Sequence, residues 1–328
     1  MGLYFLKDGL KKFRYLVEAV SFFITSRLIA VIPLRIHYGM GRALGKILYF
    51  FPYFKNRIKK NLKIAYEDDC PQTEKIIHGI GENLCLSFME TASYSLSKIK
   101  QKSILENITV QGRDNIDKAL NQGKGVLLVT AHLGNFTLLF LKLRREGYPI
   151  HTVVKGSNNP FIAKQFHTFI DRIEVPYIPV EPGNICLKKI RIALQGNGIV
   201  AFLVDEKRRR DGIYVDFFGK PASTTRGPAT ISLRSGASII PAFIVRNLDN
   251  THDLFIEEPI QYTNNSLSQN EKVFFLTQQY SQVVEKYIRR YPDLWSWTSN
   301  KWKLPRANQD KKSRGKFFHF GLTSERKD

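Results

Sequence analysis

The sequence predicts an α/β protein with a mixed, mostly parallel central sheet covered by helices. A helical N-terminal segment suited to a membrane surface precedes it. Three observations carry this reading. From residue 108 to residue 260, short apolar runs alternate with amphipathic stretches, as strands alternating with helices do. One run, Val126–Thr130, is apolar almost throughout, as a strand covered on both faces requires. Residues 1–66 have a different texture, with apolar and aromatic side chains interleaved with Lys and Arg.

Composition narrows the function classes. At 328 residues the chain suffices for one large domain or two modest ones. With 43% hydrophobic and 24% charged residues it is not a disordered chain. The net charge of +21 favours polyanionic partners: nucleic acid, an anionic bilayer or an acidic substrate. No recognition-helix pattern, zinc spacing or aromatic RNA-binding motif accompanies the charge, so nucleic acid is not expected. Cys70, Cys85 and Cys186 are odd in number and form no CxxC pair, which implies neither a disulfide framework nor zinc. The seven histidines form no HxxxH or HExxH pair, and no metal is expected. Lys11, Lys12 and Arg14 precede an apolar segment, but no small-residue cleavage site follows it, so no secretory signal is expected.

Residues 15–33 are the most membrane-like stretch. A span needs about 20 apolar residues, and Glu18 and Arg27 interrupt this one, which weakens the case for a full crossing. Tyr38–Phe54 follows, carrying Leu44, Ile47, Leu48, Phe50 and Phe51 beside Arg42 and Lys46. Lys55, Arg57, Lys59, Lys60 and Lys63 then form a basic patch. Such helices suit the interface of an anionic leaflet; core helices with a solvated basic face are the alternative. Residues 73–99 read as one helix or two, with Ile76, Ile77, Ile80, Leu84 and Phe88 near helical spacing.

The alternating region comes next. A short strand and turn are expected over 108–116, and strands near 126–130, 150–154, 177–180, 199–204, 239–245 and 254–256. Helices are expected over 116–122, 138–147, 160–172, 187–195 and 271–290, and one opens after Arg226-Gly-Pro, since proline is tolerated in a first turn. The division expected is residues 1–66 as membrane-associated helices, 67–304 as the α/β domain, and 305–328 as a basic, loosely ordered tail.

Sites in such sheets gather at the carboxyl ends of strands. His132 falls at one such end, followed by the turn residues Gly134 and Asn135, and Asp205 falls at another. A histidine there is either a hydrogen-bonded structural group or a general base, and a base needs a partner to hold its tautomer. Spacing alone does not bring Asp205 or Glu206 to it. Lys207, Arg208, Arg209 and Arg210 are four consecutive cations leading into Val215-Asp-Phe-Phe-Gly219. They are either a solvated charge run or cations bordering an apolar slot, as a phosphorylated lipid or an acidic carrier requires. Trp295, Trp297 and Trp302 fall close together, suited to core packing or to interfacial anchoring.

Five segments now carry a resemblance: Thr130-Ala-His-Leu-Gly-Asn-Phe-Thr137; Asp205 with Gly212-Ile-Tyr-Val-Asp-Phe-Phe-Gly219; Thr224-Thr-Arg-Gly-Pro-Ala229; Ile239-Ile-Pro241; and Pro292-Asp-Leu-Trp-Ser-Trp297. In order and spacing, from Arg57 to Pro305, the chain resembles the lipid A biosynthesis (late) acyltransferases of the lysophospholipid acyltransferase superfamily. The resemblance implies transfer of an acyl chain from an acyl carrier protein or coenzyme A thioester to a hydroxyl of a membrane lipid. It places that chemistry at the cytoplasmic face of the inner membrane, with no cofactor beyond the thioester co-substrate. The acceptor implied is a phosphorylated glycolipid or a lysolipid, and an acidic carrier protein and an anionic membrane both suit the positive charge.

Carried over, the resemblance makes His132 the base. The family's pattern sets Glu or Asp five residues on, where this chain has Thr137. Threonine can hydrogen-bond but carries no charge. Three readings follow: Asp205 or Glu206 supplies the carboxylate in space, the enzyme is slow or takes an unusual acceptor, or chemistry is lost and lipid binding kept. The substrate-binding set expected on these grounds is Gly134, Asn135, Arg172, Lys207, Arg208, Gly219 and Arg226.

Overall fold

The computed structural model describes residues 15–302, apart from 19, 22, 23, 26, 29–31, 68, 69, 71, 156–167, 169–171, 181–183, 209–211, 263–265 and 300. The expected basic tail, and all but Thr168 and Arg172 of the helix expected over 160–172, lie outside the described residues.

Seven strands form the central sheet in the order β1-β9-β8-β2-β5-β3-β4. They are β1 (Ile108–Gln111), β2 (Val126–Thr130), β3 (Ile150–Val154), β4 (Tyr177–Pro179), β5 (Ile199–Leu203), β8 (Ser238–Arg246) and β9 (His252–Ile256). All neighbours run parallel except β8 and β9, which are antiparallel. The sheet is therefore mixed and mostly parallel, as expected. No strand was expected over residues 212–225. They form an antiparallel hairpin, β6 (Gly212–Phe217) and β7 (Lys220–Thr225), outside the main sheet.

β2 occupies the centre, and every residue in it is buried. Side chains alternate across a strand, so Leu127 and Val129 enter one apolar core while Val126 and Leu128 enter the other. Each such burial contributes roughly 1.5–3 kcal/mol. Both faces must be apolar, which is why the run shows no polar alternation.

The register between β2 and β5 positions the site. Thr130 lies opposite Leu203, and the Val204 N–H donates to the Thr130 carbonyl at 2.9 Å. The two chains leave the sheet at the same level. His132 and Asp205 each follow that paired position by two residues, so parallel register alone delivers them side by side.

Helices cover the sheet. The long helix α3 (Thr73–Leu96) passes over the carboxyl ends of the strands near the site, and α1 (Leu34–Tyr49) crosses it. That crossing is made with bare backbone. A Cβ on Gly45 would strike the backbone of Gly81 and Glu82, and one on Gly41 would strike Leu86. Between them in the chain lies α2 (Pro52–Tyr66). The outer face of α1 leaves Ile36, Met40, Leu44 and Ile47 exposed, and Phe50, Phe51 and Tyr53 follow it to solvent. Among the described residues no helix is long and apolar enough to cross a membrane.

The helix after β2, α6, runs Phe136–Arg145. It begins two residues before the expected start at Leu138, so Thr137 sits in its first turn. Helix α9 (Gln269–Arg290) opens on a capping box between Ser268 and Glu271. The chain then returns across the sheet end. Leu133 bridges Trp295, the Gly134 N–H donates to the Leu294 carbonyl at 2.9 Å, and the Ser296 N–H donates to the His132 carbonyl at 3.0 Å.

That return explains the tryptophans. Trp295, Trp297 and Trp302 are all buried and pack on one another and on Phe217 and Phe218. They are core residues, and the interfacial-anchor alternative does not hold. Phe217 and Phe218, read as walls of an apolar slot, are likewise committed to this cluster.

Candidate active site

His132 Nδ1 lies 2.9 Å from Asp205 Oδ1 and 3.2 Å from Oδ2. The His132 backbone N–H donates to Asp205 Oδ2 at 3.1 Å, and the Trp295 indole N–H donates to the same oxygen at 2.8 Å. The carboxylate is 3% exposed, so it keeps its charge only because donors surround it. Burial alone would raise its pKa; the adjacent imidazolium and the hydrogen bonds from His132 and Trp295 outweigh burial and bring it down to about 2. Burial acts on His132 in the opposite sense, lowering its pKa. The charge of Asp205, its hydrogen bond and a smaller contribution from Glu206 outweigh that and raise it to about 9. With Nδ1 bound to Asp205, Nε2 makes no hydrogen bond among the described residues.

His132 opens onto a cavity of about 270 Å³. Its walls come from α3 (Ile80, Asn83, Leu84, Ser87, Phe88, Thr91), from the turn and first turn of α6 (Gly134, Asn135, Phe136, Thr137), and from Leu294, Trp295 and Ser296. The walls are mostly apolar, with one titratable ring among them. Phe136 meets the imidazole edge to face at 5.1 Å. Leu84 and Phe88 are both part-exposed, so the apolar wall reaches the protein surface.

The turn after His132 is held from below. Gly134 has φ of 59°, and a Cβ there would run into the Ile244 carbonyl oxygen, so only glycine fits. Asn135 is buried and donates to Glu90 Oε2 at 2.9 Å and to the Ser87 carbonyl at 3.3 Å, while the Thr91 hydroxyl donates to its Oδ1 at 3.3 Å. Glu90 is fully enclosed and paired with Arg246, whose Nη2 donates to Oε2 at 2.7 Å and whose Nη1 donates to Oε1. Burial would raise the Glu90 pKa, but the Arg246 charge outweighs it and the net shift is downward. His252 Nε2 lies 3.6 Å from the same carboxylate; burial pushes its pKa down to about 4, which leaves it neutral.

A second buried cation stands behind the pair. Lys301 is 1% exposed and donates to Thr224 Oγ1 at 2.8 Å. Burial lowers its pKa to about 8 while the charges of Asp205 and Glu206 pull it the other way.

The structure thus brings His132, Gly134, Asn135 and Thr137 together at one cavity, with Asp205 buried against the His132 ring. It does not bring the remaining expected residues there. Arg208 lends its backbone carbonyl to Ser223. Gly219 is at the exposed tip of the β6–β7 hairpin, and Arg226 is exposed at the start of helix α8 (Gly227–Ser235). Lys207 and exposed Arg172 also lie off the cavity wall. Asn135 lines the cavity, but its carboxamide is spent on Glu90, Ser87 and Thr91, so its observed work is to hold the turn. Trp295, Glu90, Arg246 and Lys301 went unnoticed in the sequence as site residues. A charged residue within the buried stripe of a helix was the available signal for Glu90.

Residues 6–304 match the family model described as bacterial lipid A biosynthesis acyltransferase. The chain belongs to that family. Among its relatives is the lipid A biosynthesis palmitoleoyltransferase of Escherichia coli, 25% identical over 264 residues, which are 77% of this chain and 80% of that one. Another is the phosphatidylinositol mannoside acyltransferase of Mycobacterium tuberculosis, 26% identical over 133 residues. That second match covers 40% of this chain and 42% of the relative. The chain has Thr137 five residues after His132, and the carboxylate that meets the ring is Asp205.

Proposed function

We propose that this protein is an acyltransferase that moves a fatty acyl chain from an acyl carrier protein or coenzyme A thioester onto a hydroxyl of a membrane lipid. The observation that carries the proposal is the 2.9 Å contact between His132 Nδ1 and Asp205, with His132 lining a mostly apolar cavity. The bond fixes the ring so that Nε2 faces an acceptor hydroxyl. In the reaction, the acceptor oxygen attacks the thioester carbonyl carbon as Nε2 takes its proton. The C–O bond forms, the carbonyl becomes an oxyanion, and Asp205 stabilises the imidazolium. Collapse breaks the C–S bond, and the leaving thiolate recovers the proton from His132.

The acceptor class is a phosphorylated glycolipid or lysolipid, in keeping with relatives named for lipid A and for phosphatidylinositol mannoside. The place of action is the cytoplasmic face of the inner membrane, supported by the apolar side chains exposed along α1 and by the charge of +21. An acidic acyl carrier protein suits the same charge. The alternative is a catalytically weakened or silent lipid-binding homologue, which rests on Thr137; the His132–Asp205 contact favours the acyltransferase.

The test is transfer of radiolabelled palmitoyl groups, from acyl carrier protein and from coenzyme A, to vesicles of a bacterial polar lipid extract. Wild type is expected to label lipid and His132→Ala is not. Equal labelling by the two would overturn the proposal.

A further inference from the structure

We propose that the outward face of helix α7 (Ile185–Gln195) is the docking surface for an acidic acyl carrier protein. The inference rests on the acyl-transfer reading and deepens it by giving the donor a place to land.

Helical spacing sorts the side chains of α7. Ile190 and Leu194 are buried in the core on that side of the sheet. Ile185 and Ile192, seven residues apart, share the opposite face. They are 50% and 58% exposed, so two isoleucines point to solvent where a surface helix ordinarily carries polar residues. Lys188 and Lys189 flank them and Arg191 borders them, all three exposed. The chain has no acidic residue from Asn184 to Val204, so nothing along this segment offsets the three cations.

The position of α7 suits a donor that works at a distance. β4 runs parallel to β3, β3 to β5 and β5 to β2, so all four strands end on the same side. α7 follows β4 and packs on both β4 and β5. The chain therefore enters α7 on the side where His132 and Asp205 leave the sheet. β4 is three places from β2, roughly 14 Å at the usual strand spacing. An acyl carrier protein bears its thioester on a long flexible arm. It can rest on α7 while the arm lays the acyl group at the cavity.

Chemistry selects the partner. Cations around an apolar centre complement an acidic protein surface that carries an apolar patch of its own. The bilayer is served elsewhere. α1 offers it an apolar stripe that continues into Phe50, Phe51 and Tyr53, whereas α7 holds no aromatic residue and sets its isoleucines between cations. Coenzyme A brings phosphates for the cations but no folded apolar surface for the isoleucines.

The test compares wild type with two double variants, Lys188→Glu with Arg191→Glu and Ile185→Ser with Ile192→Ser. Palmitoyl transfer to the lipid vesicles is measured from palmitoyl acyl carrier protein and from palmitoyl-coenzyme A. Both variants are expected to raise KM for the carrier ~10–100-fold. Transfer from palmitoyl-coenzyme A keeps the wild-type rate, which also shows that both variants fold and still meet the vesicles. Added salt raises the wild-type KM for the carrier and changes that of the charge-reversed variant little. An unchanged KM for the carrier in either variant would overturn the inference. So would an equal loss with both donors, or a loss of vesicle sedimentation, which would give this face to the bilayer. A wild type that uses palmitoyl-coenzyme A but not the carrier would overturn it and leave the acyl-transfer reading standing. Silence with both donors would overturn the acyl-transfer reading. Surface plasmon resonance with the carrier then decides this one: binding to wild type and not to the charge-reversed variant supports the docking face, and equal binding to the two overturns it.

Discussion

The indole N–H of Trp295 and the backbone N–H of His132 donate to one and the same carboxylate oxygen, Oδ2 of Asp205. A buried carboxylate thus receives two donors on one oxygen while its other oxygen lies 2.9 Å from the imidazole. Replacing Trp295 by Phe keeps the ring volume and removes one donor. A hydrogen bond to a charged group contributes ~1.5–3 kcal/mol, and urea denaturation of Trp295→Phe is expected to show a loss of that size. The rate falls with it, because the carboxylate that holds the imidazole is less firmly placed once the donor is gone.

Asp205→Asn keeps the shape of the acid and removes its charge. Where a histidine loses its carboxylate in a serine-protease triad the rate falls ~10⁴-fold, and a loss of ~10³–10⁴ is expected here by that scale. Single-turnover transfer from acyl-coenzyme A measures it. A loss below tenfold would show that Asp205 does not serve the ring.

The pH dependence follows from the raised histidine. With a pKa of about 9, His132 is mostly imidazolium at neutral pH. As the base of the proposed transfer it would act from the neutral fraction, about one molecule in a hundred at pH 7. The plot of log kcat/KM is expected to climb about one unit per pH unit and level off near 9. Without the Asp205 charge, burial takes over, and the inflection in Asp205→Asn moves down to or below the ordinary 6.5. The mutant therefore has a lower ceiling reached at lower pH.

Stability carries the same signature with its own signs. His132 is raised, so its contribution is whole below 6.5 and lost as pH rises through about 9. Asp205 is lowered, so its contribution is whole above 3.8 and lost as pH falls through about 2. The pair stabilises fully between 3.8 and 6.5, and His132→Ala is expected to lose most against wild type in that window when both are unfolded across pH.

Beneath the turn, Glu90→Gln leaves Arg246 buried without its countercharge. Breaking a buried pair from one side costs ~3–5 kcal/mol. Calorimetry is expected to show that loss, and activity falls because Asn135 loses its anchor and the turn bearing His132 loosens. An unchanged melting temperature would mean that the network does not hold the fold.

How much of this was legible depended on how local each feature is. The β2 strand showed itself because burial on both faces demands unbroken apolar residues, and the strand ends at His132 and Asp205 followed. Their meeting did not follow, because a register between segments 73 residues apart leaves no mark in either. Trp295 was visible as part of a cluster, but its donation to Asp205 crosses 90 residues. Phe136 and Thr137 were read outside the helix because no capping side chain marks its start. The cationic run at Lys207 and Arg208 caught the eye through composition, which reports charge but not direction. Glu90 and Arg246 were missed because each looks ordinary until the other is placed beside it.

The return of the chain across the sheet end has a consequence for how this protein is made. His132 and Asp205 emerge early from the ribosome, but the strand that closes over them, Leu294 to Ser296, is among the last described segments to be synthesised. Until it emerges, Asp205 lacks its indole donor, and the cavity lacks one wall. A nascent chain can hold its sheet and its histidine and still lack a complete site.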